Sequence, residues 1–151
     1  MNYEQPLNAT LKDAEIVRSA GRLLTMDGSN NTLETTDATD ICIGISADES
    51  SRDSLQVYET TGATVSYYPL TGVQLVQVDA TSTFNIGATV YVGGSGLATS
   101  TAGSNKKLGL YVGAAAHAAT ALSAPLGGND GQASATEGAL IRVNCSHAQI
   151  A

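Results

Sequence analysis

Short apolar stretches, separated by clusters of turn-forming residues, recur along most of the chain. Alternation of apolar and polar residues over a few positions, bounded by Gly, Asn, Asp or Pro, is typical of half-buried β-strands. Such stretches occupy residues 22–26, 40–46, 55–59, 64–68, 73–79, 108–112 and 139–144. About eight short strands spaced roughly ten residues apart predict an all-β domain, either a small β-barrel or a β-sandwich.

Two features of this pattern indicate turns. The apolar stretch in the middle of the chain ends at Gly93-Gly94-Ser95-Gly96-Leu97. This string superficially resembles the turn that presents a nucleophilic serine, but Leu97 stands where a closing glycine is required, so a hairpin is the better interpretation. Pro69 lacks a peptide N–H and is therefore predicted to end the strand over 64–68 or to keep it at a sheet edge.

Two segments do not follow the strand rhythm. Residues 1–20 begin with an Asn-, Glu- and Gln-rich stretch and are interpreted as an extended N-terminal arm that orders on a neighbour. A strand or turn packed on its own domain is the alternative. Residues 114–136 form an Ala- and Gly-rich loop insertion, for which a contact or binding role and disorder both remain open. The remainder, 21–151, is predicted to be a single β-domain.

Charge and composition limit the classes of partner. The chain has 14 acidic and 7 basic residues, a net charge of −7, which argues against binding a phosphate backbone. Only 14% of the residues are charged, so the surface resembles one that is partly covered in its working state. No apolar run approaches the roughly 20 residues needed to span a membrane. The N-terminus does not resemble a signal peptide, and we expect synthesis in the cytoplasm.

No residue pattern predicts catalysis or metal binding. Cys42 and Cys145 are far apart and lack metal-ligand spacing; we expect two free structural thiols, with a disulfide or an intersubunit contact as alternatives. His117 and His147 have no second ligand at a suitable spacing. The acidic cluster at 48–53 lies in a Ser-rich stretch and is interpreted as a solvated loop. We therefore expect no enzymatic activity, no cofactor and no metal.

Several turn-and-strand motifs follow one another over roughly residues 21–145. They are Gly21-Arg22-Leu23-Leu24, Ile41-Cys42-Ile43-Gly44-Ile45, Val73-Gln74-Leu75-Val76, Asn85-Ile86-Gly87-Ala88-Thr89-Val90-Tyr91 with Gly96-Leu97-Ala98-Thr99, Leu108-Gly109-Leu110-Tyr111-Val112, and Gly138-Ala139-Leu140-Ile141-Arg142-Val143. Together these motifs resemble those of a known family, the head decoration (capsid cement) proteins of tailed bacteriophages and related viruses.

The resemblance implies a non-enzymatic protein on the outer surface of an icosahedral virion, bound to the major capsid protein, often as a homotrimer. It implies neither a nucleic-acid nor a membrane partner. If so, the contacts to the capsid or between subunits are expected in the arm and near the predicted edge strand. The alternative function is a receptor-binding or adhesin-type β-domain of a tail or fibre. The candidate contact residues are Tyr3, Pro6, Leu11 and Ile16 in the arm and Tyr67 and Tyr68 beside the edge.

Overall fold

In the part of the chain that the structure describes, ten β-strands form two antiparallel sheets. The computed structural model describes residues 5–28, 31–79, 82–114 and 140–148, and within these ranges it contains no α-helix. The all-β prediction is confirmed, with ten strands instead of about eight. The strands are β1 (Leu7–Thr10), β2 (Leu23–Asp27), β3 (Thr32–Thr35), β4 (Gly44–Ser46), β5 (Thr64–Pro69), β6 (Val73–Gln77), β7 (Thr89–Val92), β8 (Ala98–Thr99), β9 (Lys107–Ala114) and β10 (Leu140–Asn144).

Each sheet contains five strands. The first sheet has the order β1-β5-β4-β2-β3, and the second has the order β6-β10-β9-β7-β8. Two isolated parallel bridges connect opposite edges of the same sheet. In the first sheet, Leu11, which follows edge strand β1, pairs with Leu33 of the other edge strand, β3. In the second sheet, Val78, which follows edge strand β6, pairs with Ala98 of the other edge strand, β8. Both sheets are therefore strongly curved, although neither is closed into a barrel.

Two clusters of buried apolar side chains hold the sheets together. Leu23 and its neighbour Leu24 are both fully buried, because alternate residues of a strand point to opposite faces. Leu23 and Ile45 of the first sheet join a cluster built mostly from the second sheet. Leu24 belongs to a cluster inside the first sheet. β2 is thus buried on both faces, and the face that carries Leu23 links the two sheets through the shared cluster.

The predicted hairpin around Gly93–Leu97 is confirmed, and it connects the second sheet to the first. β7 and β8 pair antiparallel on either side of a single 3-10 turn. The hydroxyl of Thr36 donates to the carbonyl of Gly93 at 3.0 Å, and the N–H of Gly96 donates to the carbonyl of Thr36 at 3.0 Å. A guanidinium N–H of the buried Arg22 donates to the carbonyl of Ser95 at 2.5 Å. The turn is therefore structural.

The prediction of an extended arm over residues 1–20 is wrong for the part that the structure describes beyond Pro6. β1 pairs with β5, and the N–H of Leu11 donates to the carbonyl of Ala63 at 2.8 Å. Leu11 and Val17 are 1% exposed and belong to the cluster inside the first sheet. Burial of these two side chains explains why the segment packs on its own domain. Residues 1–4 lie outside the described ranges.

The strand predicted over 55–59 does not form. Leu55 is 80% exposed, Val57 is 59% exposed, and neither belongs to a core cluster. A carboxylate oxygen of Asp53 accepts from the N–H of Leu55 at 2.8 Å and from that of Val57 at 3.1 Å. This side-chain capping favours a turn over a sheet ladder. Of the predicted insertion at 114–136, all but Ala114 lies outside the described residues.

Candidate functional site: the β6 edge and its groove

Part of strand β6 has a free edge. β6 is the first strand of the second sheet and pairs with β10 on one side only. The N–H of Gln77 points away from β10 and donates to the carbonyl of Gly21 at 2.8 Å. Because peptide groups alternate in direction along a strand, those of Val73 and Leu75 also point away from β10. Among the described residues, these two peptide groups have no backbone hydrogen-bond partner.

A groove of about 600 Å³ runs beside this edge. None of the described residues that line it carries a charge, although the chain as a whole has a net charge of −7. Its walls are contributed by both sheets, and the residues that matter below are Gly21, Ile45 and Tyr68 on one side and Val73, Leu75 and Leu140 on the other. The groove is therefore suited to an uncharged, partly apolar partner.

The apolar side chains around the groove are unusually exposed. Val73 is 56%, Leu75 45% and Leu140 38% exposed. The sequence of β6, Val-Gln-Leu-Val-Gln, contains neither a charge nor a proline. Soluble proteins commonly protect an edge strand with a charged residue or a proline, with a covering segment, or by making the strand very short. At the other edge of the same sheet, β8 is protected in both of the last two ways. It has only two residues, and the N–H of Asp79, in the segment after β6, donates to the carbonyl of Ala98 in β8.

Gly21 defines one end of the groove. Its φ of +91° lies in the region that favours glycine, and a Cβ placed there would lie 2.8 Å from Cδ2 of Leu140. The N–H of Gly21 donates to the carbonyl of Ser46 at 2.8 Å, while its carbonyl accepts from Gln77. The residue therefore joins β4 of the first sheet to β6 of the second. A side chain at this position would interfere with both.

A smaller pocket of about 310 Å³ lies beside the hairpin turn. It is lined by Arg18, Arg22 and Glu15, among others. A carboxylate oxygen of Glu15 accepts from the N–H and the hydroxyl of Thr35, at 3.3 and 3.1 Å. The groups in this pocket bring both signs of charge together next to the turn that Arg22 holds. Of its lining residues, Arg22 joins the two sheets through its hydrogen bond to Ser95.

The acidic cluster at 48–53 is part of a hydrogen-bonded loop. Glu49 accepts two hydrogen bonds from the guanidinium of Arg52, both at 3.0 Å, and one from the hydroxyl of Tyr58 at 2.7 Å. These hydrogen bonds, from Arg52 first and Tyr58 second, lower the pKa of Glu49. The guanidinium carbon of Arg52 also lies 4.1 Å from the centre of the Tyr58 ring. The loop is closed by its own side chains.

The candidate contact residues of the arm do not form one surface. Tyr3 lies outside the described residues, and Pro6 and Ile16 are half-buried. Leu11 is 1% exposed, so its expected role in contacting a partner is a mistaken prediction. The burial that anchors Leu11 in the first sheet also removes it from the surface.

The two tyrosines near the predicted edge have different environments. β5 lies between β1 and β4, so it is an interior strand, although it ends at Pro69 as predicted. Tyr67 packs against the cluster inside the first sheet, and Tyr68 lines the groove. Sequence reasoning thus identified one residue of the groove and missed Val73, Leu75 and Leu140. For Val73 and Leu75 the signal was the uncharged composition of the strand at 73–77; no comparable signal marked Leu140.

The two cysteines are free and buried, as expected. Each is 3% exposed, and both belong to the core cluster shared by the two sheets. Burial raises the pKa of Cys42 and of Cys145 to about 12. At neutral pH both are therefore unreactive thiols that contribute to packing.

The described ranges contain neither a candidate metal site nor a candidate membrane-spanning helix. No group of three or more His, Cys, Asp or Glu side chains there could hold a metal ion. No helix in that part of the chain is long and apolar enough to cross a membrane.

In three comparisons with known proteins, no family model, no curated protein and no solved structure matches the chain.

Proposed function

We propose that this chain is a structural decoration (cement) protein that binds the outer surface of an icosahedral viral head and stabilises contacts between capsomers. The proposal unites the resemblance of the sequence motifs with a β-rich structure that presents a surface suited to protein contact. The major capsid protein is the proposed partner, and the working form is a homo-oligomer, for which the resemblance implies a trimer.

The observation that carries this proposal is the free edge of β6 beside an uncharged groove. Exposed sheet edges bind other polypeptide chains by adding a strand, and neighbouring pockets accept the side chains of that strand. The exposed apolar side chains of Val73 and Leu75 supply such a surface. The acidic charge of the chain also suits the outer face of a head better than the face in contact with DNA.

We further propose that the two sheets pack as a β-sandwich. Leu23 and Ile45 of the first sheet share a core cluster with Val76, Val90 and Ile141 of the second. Side chains from two facing sheets that interdigitate in one core are typical of this architecture. A rigid scaffold of this kind suits a protein that holds its neighbours in place.

The proposal is tested by adding the purified protein to expanded, emptied heads that lack decoration. We expect it to sediment with the heads and to raise the temperature, or the chelator concentration, at which they break apart. Bovine serum albumin at the same concentration is the control for non-specific stabilisation. Heads that break apart at the same temperature with and without the protein would contradict the proposal.

A receptor-binding or adhesin-type domain of a tail or fibre is the second candidate. The observation that favours it is the loop between Glu49 and Tyr58, which is fixed by its own hydrogen bonds and exposes Leu55 and Val57 at its tip. Rigid loops with exposed apolar side chains are common in binding sites. This function predicts binding to host cells or glycans in the absence of any capsid, and binding that is lost in a Leu55→Asp, Val57→Asp variant.

A further inference from the structure

We propose that the free edge of β6 is a contact between two copies of this chain, which pair antiparallel about a two-fold axis at Gln74. Val73 of each copy then lies opposite Leu75 of the other. Each such pair exchanges two hydrogen bonds, so every peptide group that is free on this edge acquires a partner. The strand is thus complementary to itself, as a two-fold contact requires.

The register of this pairing follows from bonds within one copy. The N–H of Gln77 is already bound to the carbonyl of Gly21, so a second strand cannot pair with that residue. At the other end, the carbonyl of Gly72 points to β10 and accepts from the N–H of Cys145 at 2.7 Å. The free groups are therefore confined to Val73 and Leu75, and the two-fold axis must lie between them.

Charge favours a second copy as the occupant. A protein with a net charge of −7 repels its own copies wherever acidic surfaces meet. Among the described residues, neither the groove nor β6 contains a charged side chain, so these two surfaces bring no acidic side chains together when copies meet here. The groove supplies space for the backbone of the added strand, and the contact would cover the exposed parts of Val73 and Leu75.

This inference rests on the proposed function, because the same free edge of β6 carries both. It names a second copy of the chain, and not the capsid protein, as the occupant of that edge. In a trimeric assembly the two-fold contact would join neighbouring trimers instead of holding one trimer together. The experiments below contain no capsid, so a failure of this contact is distinguishable from a failure to bind heads.

The first test measures the mass of the full chain by light scattering across a range of concentrations. A charge placed on the free edge, Leu75→Lys, is expected to halve the mass of the assembly, because two ammonium groups would be brought together in the contact. Leu55→Lys is the matched control, since it changes an exposed leucine that belongs neither to β6 nor to the lining of the groove and should leave the mass unchanged. Far-UV circular dichroism establishes that each variant is folded.

The second test uses a disulfide to fix the contact. In the proposed register Gln74 faces its own copy at a position without hydrogen bonds, where Cα atoms lie about 4.5 Å apart. That separation permits a disulfide. A Gln74→Cys variant is therefore expected to form a covalent dimer on mild oxidation, whereas Asn8→Cys, on edge strand β1, should not. Cys42 and Cys145 do not interfere because both are buried.

Either of two outcomes would overturn the proposal. One is a wild-type chain with the same mass as the Leu75→Lys variant at every concentration. The other is a Gln74→Cys variant that forms no more covalent dimer than Asn8→Cys under the same oxidation.

Discussion

The peptide N–H of Gln77 donates to the carbonyl of Gly21 at 2.8 Å, and this bond ends the free stretch of β6. It also ties the second sheet to the segment that leads into β2 of the first. Gly21 can take this position because it has no side chain to meet Leu140. One contact therefore sets both the junction of the sheets and the limit of the surface proposed for association.

A side chain at Gly21 is expected to destabilise this junction. Gly21→Ala places a Cβ 2.8 Å from Leu140 and forces an alanine into a left-handed conformation, a combined cost of about 2–4 kcal/mol. Gly62→Ala is the matched control, because Gly62 has φ +64° but open space around it, and should cost about 1 kcal/mol. Urea unfolding measures both. Equal losses in the two variants would show that the close approach of Leu140 is unimportant.

Removal of the hydroxyl of Tyr111 is expected to leave stability unchanged or to raise it by about 1 kcal/mol. The residue is fully buried, its ring stacks on that of Phe84 at 5.4 Å, and no partner for its hydroxyl is found in the part of the chain that the structure describes. Tyr111→Phe keeps the stacking and removes the unsatisfied group. A loss of more than 1 kcal/mol in thermal or urea unfolding would indicate that the hydroxyl has a partner.

Burial of the Cys42 thiol is expected to make stability fall at alkaline pH. Its pKa of about 12 in the folded chain exceeds that of an unfolded cysteine, near 8.5, so folding favours the protonated thiol. This contribution is complete below about pH 8.5 and is lost as the pH rises towards 12, by up to about 5 kcal/mol. Urea unfolding under reducing conditions at pH 8 and pH 10.5 should show a smaller decline for Cys42→Ala than for the wild type. Parallel declines would contradict this account.

The Glu49 carboxylate is expected to stabilise its loop only when it is ionised. Hydrogen bonds from Arg52 and Tyr58 lower its pKa, so its contribution is present above its ordinary pKa of 4.5 and is lost as the pH falls below that value. Glu49→Gln should therefore lower the melting temperature at pH 7 and have less effect at pH 3. Glu59→Gln, a nearby substitution, serves as the control. A difference between wild type and Glu49→Gln that is the same at both pH values would refute this role.

The sequence predicted the fold class and most of the strands because their alternation is local. Which face of a strand each side chain occupies was harder to predict. Leu108 and Tyr111 are three positions apart in β9, so strict alternation would place them on opposite faces, yet both are fully buried. The pairing of β7 with β9 shifts register at Val90 and Tyr91, and this irregularity lets both side chains enter the core.

The groove could not be predicted for a different reason. It depends on tertiary contacts between residues far apart in the sequence, such as Gly21 with Gln77 and Leu140. The N-terminal segment was misassigned for the same reason, since nothing local shows that Leu11 and Leu33 become neighbours. Tyr68 was identified only because it lies beside Pro69, and not because of the surface that it lines.

The most direct test of the proposed function is the number of copies bound per head at saturation. Expanded, emptied heads are incubated with increasing amounts of the protein, sedimented and analysed by quantitative gel densitometry against the major capsid protein. A decoration protein is expected to saturate at a fixed ratio of copies to capsid subunits that does not change when more protein is added. Protein that stays in the supernatant, or that sediments in proportion to its concentration without saturating, would contradict the proposal.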